Sequence, residues 1–222
     1  MKKTAPSKHE TALLPPFDAL PLAHIQVPTT PGQFADAVAA IHAAGVVGFD
    51  TESKPTFAVG EASQGPHVLQ FALAAQAFIF QIYRPGCLDA VVDLLRAPGL
   101  QKVGFGLQSD RGQILNRFGV LPQGVLDLTT VFHRLGYRNA VGVRAAVGIV
   151  FQQRFAKSKK TTTTNWALAQ LSPTQLLYAA NDAYAALKVW QVLQHDPALT
   201  GHDHDDAHDD DHDDGRAAAA PG

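Results

Sequence analysis

Only one cysteine, Cys87, occurs in 222 residues. No internal disulfide can staple such a chain, which fits a reducing compartment, and the cytoplasm is the expected location. Long apolar runs are missing too. No stretch approaches the roughly 20 residues that cross a bilayer, so no membrane role is expected. The start Met1-Lys2-Lys3-Thr4-Ala5 looks like the charged end of a signal peptide, but Pro6, Ser7, Lys8, His9 and Glu10 follow where an apolar segment belongs. Secretion is therefore not expected. Internal repeats are absent, which excludes a solenoid. A strong net charge is absent as well: the total is -2. That total hides an asymmetry. All eight acids after Thr200 lie in one tail, opposed by Arg216 alone, so residues 1–200 carry 17 basic and 12 acidic side chains. A body at +5 mildly favours a polyanionic partner.

What is present suits one α/β domain between two tails. Residues 1–22 are rich in Pro and Lys without periodicity and read as a flexible arm, with Phe17 and Leu20 able to dock on the body. Thr30-Pro31-Gly32-Gln33 is a helix start: a capping residue, a proline at the first helical position and a capping-box partner. Strands are expected over 46–50, 67–74, 77–82, 102–105 and 125–127, and helices over 31–44, 87–96, 109–118, 127–135, 141–151 and 172–195. This order implies a mixed sheet of about five strands flanked by helices. The domain is expected over 23–198. Residues 199–222 form a low-complexity His/Asp tail that cannot bury a core and is expected to be disordered.

Acids recur at three informative places: Phe49-Asp50-Thr51-Glu52, Gly104-Phe105-Gly106-Leu107-Gln108-Ser109-Asp110, and Tyr178-Ala179-Ala180-Asn181-Asp182. Residues two apart on a strand share a face, so Asp50 and Glu52 point into one site. Four apart on a helix does the same for Tyr178 and Asp182. Leu176, Leu177, Ala180, Tyr184, Leu187 and Trp190 make the opposite, core-like face of that helix. Asp110 follows a strand and a glycine turn, where a side chain can reach the sheet's end. Gathered carboxylates repel one another unless a hard cation lies between them. Such cations are what phosphodiester hydrolysis needs at neutral pH.

These segments resemble the three motifs of the DEDD superfamily of 3′–5′ exonucleases, in the subclass with a tyrosine. Within it they look most like the ribonuclease D and Werner-type exonuclease domains. The resemblance covers roughly residues 30–195, and Lys159 to Trp166 resembles the segment preceding the third motif in Werner-type domains. It implies a ribonuclease H-like fold and a two-metal hydrolysis with Mg²⁺ or Mn²⁺. Asp50, Glu52, Asp110 and Asp182 would be the metal ligands, and Tyr178 would orient the attacking water. The partner implied is the 3′ end of DNA or RNA, releasing nucleoside 5′-monophosphates.

Candidate substrate contacts are Thr51, Phe105, Lys159 and Trp166. Lys159 and Lys160 could touch phosphates or form a solvated loop. Trp166 could stack on a base or pack in the core. Phe105 could line a nucleoside pocket or be core. Ser53-Lys54-Pro55-Thr56-Phe57 departs from the family pattern after Glu52 and suggests a pocket wall displaced to Phe57. Two rival readings are a non-catalytic nucleic-acid end-binding module and a metal-handling protein led by His202, His204, His208 and His212.

Overall fold

The computed structural model describes residues 2–56, 63–157 and 159–200, without the side chains of Lys159 and Thr200. Phe57 and the His/Asp tail beyond Thr200 lie outside the described residues, as do the expectations placed on them.

Six strands form one sheet: β1 (Ile25–Gln26), β2 (Val46–Glu52), β3 (Val68–Ala72), β4 (Ala77–Gln81), β5 (Gln101–Gly104) and β6 (Val125–Asp127). Their spatial order is β1-β4-β3-β2-β5-β6. β2, β3 and β4 are antiparallel neighbours, and the other pairs are parallel. The sequence implies about five strands. The sixth, β1, is two residues long, too short to show any period.

Alternation along β2 sorts side chains to two faces. Val47 and Phe49 join Leu69, Phe71, Phe78 and Phe80 in a core shared with α2 (Pro31–Ala44) and α3 (Cys87–Arg96). Phe71 centres this layer, its ring 5.1 Å from Phe49 and 5.6 Å from Phe80. The other face carries Gly48, Asp50 and Glu52. It is covered by α8 (Pro173–Leu193), which packs across β2, β3, β4 and β5.

The buried surface of α8 is largely alanine: Ala179, Ala180, Ala183, Ala185 and Ala186 are all fully buried. The larger Leu176, Tyr184 and Trp190 are only partly buried, so the core-like face read from the sequence is corrected toward the small residues. Small side chains let the helix approach the strand closely. A Cβ on Gly48 would lie 1.9 Å from the Ala183 carbonyl oxygen. The expected capping box of Thr30 with Gln33 forms on α2, and Ser172 with Gln175 makes a second one on α8.

The N-terminal arm is more ordered than its composition suggests. It contains α1 (Lys8–Ala12), capped by Ser7 and Glu10, and α1 packs on α6 (Val143–Phe151). Phe17 meets the rings of Phe151, Phe155 and Tyr184. Leu20 is buried, and Asn181 clasps its backbone twice: Leu20 N donates to Oδ1 at 2.7 Å and Nδ2 donates to Leu20 O at 3.1 Å. Lys102 on β5 is fully buried, a position a strand pattern reserves for apolar residues. Its ammonium donates to the carbonyls of Ala97, Leu100 and Gln123 at 3.1, 2.8 and 2.9 Å, and burial lowers its pKa to about 8.

Candidate active site

Asp50 and Glu52 leave the same face of β2, and Asp182 descends onto them from α8. One oxygen from each carboxylate lies within 4.8 Å of the others. Asp110 stands on the first turn of α4 (Leu107–Phe118). Gly106 precedes that turn at φ +70°, a left-handed conformation that suits glycine, and its N–H donates to Asp127 at 3.0 Å. Asp110 is outside the three-carboxylate cluster and is tied to it by Thr51. The Thr51 N–H donates to Asp50 Oδ1 at 2.9 Å, and its hydroxyl donates to Asp110 Oδ1 at 3.0 Å. Thr51 thus fixes the first motif against the second.

Tyr178 lies one turn before Asp182. Its hydroxyl shares a 2.8 Å hydrogen bond with Thr162 at the end of α7 (Lys159–Thr162). Lys157 completes the group. Its Nζ is 2.5 Å from Asp182 Oδ2 and 5.3 Å from the centre of the Tyr178 ring. Two cavities flank Asp182. One, of about 350 Å³, is bounded by Phe17, Leu20, Phe155, Leu177 and Tyr178. The other, of about 240 Å³, is bounded by Asp50, Phe105, Gly106 and Lys157.

Of the expected substrate contacts, Phe105 borders the second cavity while stacking on Phe132 at 6.3 Å. Trp166 is corrected. It is 1 % exposed and packs behind Tyr178, with ring centres 5.9 Å apart, so no base can stack on it. Its bulk fills the space beneath the helix instead. The Lys159 side chain lies outside the described residues. Lys157 and Asn181 were missed from sequence. A lysine two positions before Lys159 carries no signal of its own, and only the folded chain shows that it reaches Asp182.

The charge balance is unusual. Burial, then repulsion from Asp182 and Asp110, raises the Asp50 pKa well above the ordinary carboxylate range. Burial and Asp50 raise Glu52 to about 9. Burial also raises Asp182 and Asp110, although Lys157 pulls Asp182 back and the Thr51 hydroxyl does so for Asp110. Burial works against the charge on Lys157, but Asp182 and Asp50 outweigh it and its pKa rises. Asp182 is 4 % exposed, and apart from the Lys157 ammonium at Oδ2 its oxygens have no partner in hydrogen-bonding geometry among the described residues. Crowded, partly unpartnered oxygens of this kind fit a hard divalent cation.

A pH dependence follows. Between about 4.5 and about 9, Glu52 is ionised in the unfolded chain but retains its proton in the metal-free fold. The fold then binds more protons than the unfolded chain, so stability falls as pH rises through this window. Thermal melts in chelator are expected to show that fall. With saturating Mg²⁺ the slope should shrink, because the cation replaces the protons. A metal-free melting temperature that climbs from pH 5 to pH 9 would contradict this electrostatic picture.

Known proteins resemble this chain in sequence and in fold. The mouse bifunctional 3′–5′ exonuclease/ATP-dependent helicase WRN is 29% identical over 67% of this chain and 11% of its own length. A 3′–5′ exonuclease from Arabidopsis thaliana is 27% identical over 70% of the chain and 55% of its own length. The chain therefore spans about half or less of these relatives. Among solved structures, Escherichia coli RNase D superposes with a TM-score of 0.69 at 22% identity, over 80% of this chain and 46% of that one. The Aedes aegypti Nibbler EXO domain gives 0.67 at 20% identity, over 82% and 91%. These likenesses show a ribonuclease H-like exonuclease fold. The family model for the 3′–5′ exonuclease domain matches residues 25–196, and the chain belongs to that family.

Proposed function

We propose that this chain is a metal-dependent 3′–5′ exonuclease that releases nucleoside 5′-monophosphates from nucleic-acid 3′ ends, with residues 23–198 as its catalytic unit. The observation that carries the reading is the convergence of Asp50, Glu52 and Asp182 from a strand and a helix 130 residues apart, with oxygens within 4.8 Å. Asp50, Glu52 and Asp182 would hold divalent ions, Mg²⁺ or Mn²⁺, and Asp110 would join them from across Thr51. When bound, two such ions neutralise charge on the attacking and leaving oxygens of an in-line displacement.

The chain's own residues supply the rest. Burial and Asp182 raise the Tyr178 pKa to about 12, so its hydroxyl keeps its proton at neutral pH and can orient a water. Lys157 brings a positive charge to the wall of the cavity beside Asp50, where a substrate phosphate can meet it. End-binding without hydrolysis is not favoured. A binder of phosphate gains nothing from three clustered carboxylates that repel it.

Tyr178→Phe is expected to lower kcat by roughly 10- to 100-fold while Mg²⁺ affinity stays within a factor of about two. Calorimetry beside steady-state rates checks the split, and an unchanged kcat would show that the water is held otherwise. Chromatography of early products tests the reaction class. Mononucleotides bearing a 5′-phosphate are expected from the first turnovers. Internal fragments would mark an endonuclease and end this reading.

A further inference from the structure

Five buried side-chain polar atoms lack a hydrogen-bond partner among the described residues. Two belong to Gln70, two to Asp182, whose Oδ2 is nonetheless ion-paired with Lys157, and one to Trp190. Gln70 is wholly buried on β3. The antiparallel register sets it directly opposite Asp50 on β2. Residues so paired leave the same face of the sheet, with Cβ atoms roughly 4.5–5.5 Å apart. That face is the one α8 covers with Asp182. Gln70's other neighbours on it, Val68, Ala72 and Ile79, are apolar and offer its amide nothing. A methionine would fill the same space without leaving two polar groups unpaired, so the amide is costly here unless it meets something the apolar neighbours do not provide.

We propose that Gln70 is a positioning residue of the metal site. Its Nε2 donates, through one bridging water, to the carboxylates of Asp50 and Asp182 and fixes the orientation in which Asp50 takes a divalent ion. The two orphaned amide atoms of Gln70, the Asp50 carboxylate opposite it and Asp182 Oδ1, which the Lys157 ion pair at Oδ2 leaves over, offer such a water the several polar partners that a buried water requires. Partners one step behind a metal ligand tune affinity in this way. The inference rests on the metal-dependent reading above and adds a residue that contacts neither ion nor substrate.

The test uses the full chain and Gln70→Met. Mn²⁺ affinity by titration calorimetry is expected to fall about 10-fold. kcat should fall while KM for an oligonucleotide stays the same. The metal-free melting temperature should hold, because methionine fills the same space and leaves no amide to be satisfied there. In isotope-labelled wild type, the assigned Gln70 side-chain amide resonance should shift saturably as Mg²⁺ is added. Wild-type Mn²⁺ affinity in Gln70→Met overturns the proposal. So does a loss of affinity that merely tracks a lowered metal-free melting temperature. Should the variant fail to fold, an amide resonance that ignores Mg²⁺ overturns it independently. Asp50→Ala, run alongside, separates the layers. Unaltered metal binding there would sink the metal-site reading itself, whereas binding lost there but kept in Gln70→Met would sink only the role of Gln70.

Discussion

Gly48→Ala is expected to destabilise the fold by about 3 kcal/mol or more and to disable the site at the same time. The added methyl would lie 1.9 Å from the carbonyl oxygen of Ala183 and 2.6 Å from its carbonyl carbon. Both are backbone atoms in the middle of a 21-residue helix, so no side chain can swing aside. α8 must lift from β2. Gly48 is two residues before Asp50, and Ala183 is the residue after Asp182, so the lift opens the carboxylate cluster directly. Chemical denaturation should show the lost stability. Mg²⁺ binding in whatever fraction remains folded should be weaker than in wild type. An Ala variant with wild-type stability would mean that α8 does not sit as close as the structure shows.

Asp50→Ala should have the opposite signature. Hydrolysis is expected to fall by at least ~10³-fold, since losing a shared ligand forfeits several kcal/mol of charge stabilisation in the transition state. The metal-free protein should be no less stable, and near pH 9 more so, because Asp50 is a repelling neighbour of Glu52 and Asp110 lies beside it. Activity and stability are thus predicted to move apart. A variant that loses both together would show that Asp50 is a structural residue. Asp182→Ala is a poorer probe, since it would strand the Lys157 ammonium that now faces it.

Much of this site is legible in the sequence. Asp50 and Glu52 share a strand face, and Tyr178 and Asp182 share a helix face. Those relations are local, and the backbone period alone fixes them. The pairing of β3 with β4 is legible from the short link between them, which favours antiparallel neighbours. The illegible parts depend on distance in space. Lys157 owes its role to the path of the chain after α6, and nothing in Lys157-Ser158-Lys159-Lys160 sets the first lysine apart. Trp166 could be an exposed stacking platform or a packed core residue, and only its position under α8 decides. Ser7-Lys8-His9-Glu10 is a capping box in plain sight, yet the apolar residues behind it, Ala12-Leu13-Leu14, stop at Pro15-Pro16, too short a run to show a helical period. The clasp between Asn181 and Leu20 joins residues 161 positions apart, beyond any periodicity.

The most direct measurement follows 5′-labelled DNA and RNA oligonucleotides, single-stranded and with recessed 3′ ends, through time in Mg²⁺ and in Mn²⁺. Wild type and Asp50→Ala are run side by side, with chelator as the blank. The account predicts a ladder that shortens one nucleotide at a time from the 3′ end, disappears in chelator and is missing in the variant. A ladder that survives in chelator or in Asp50→Ala would contradict it, as would binding of every oligonucleotide with cleavage of none.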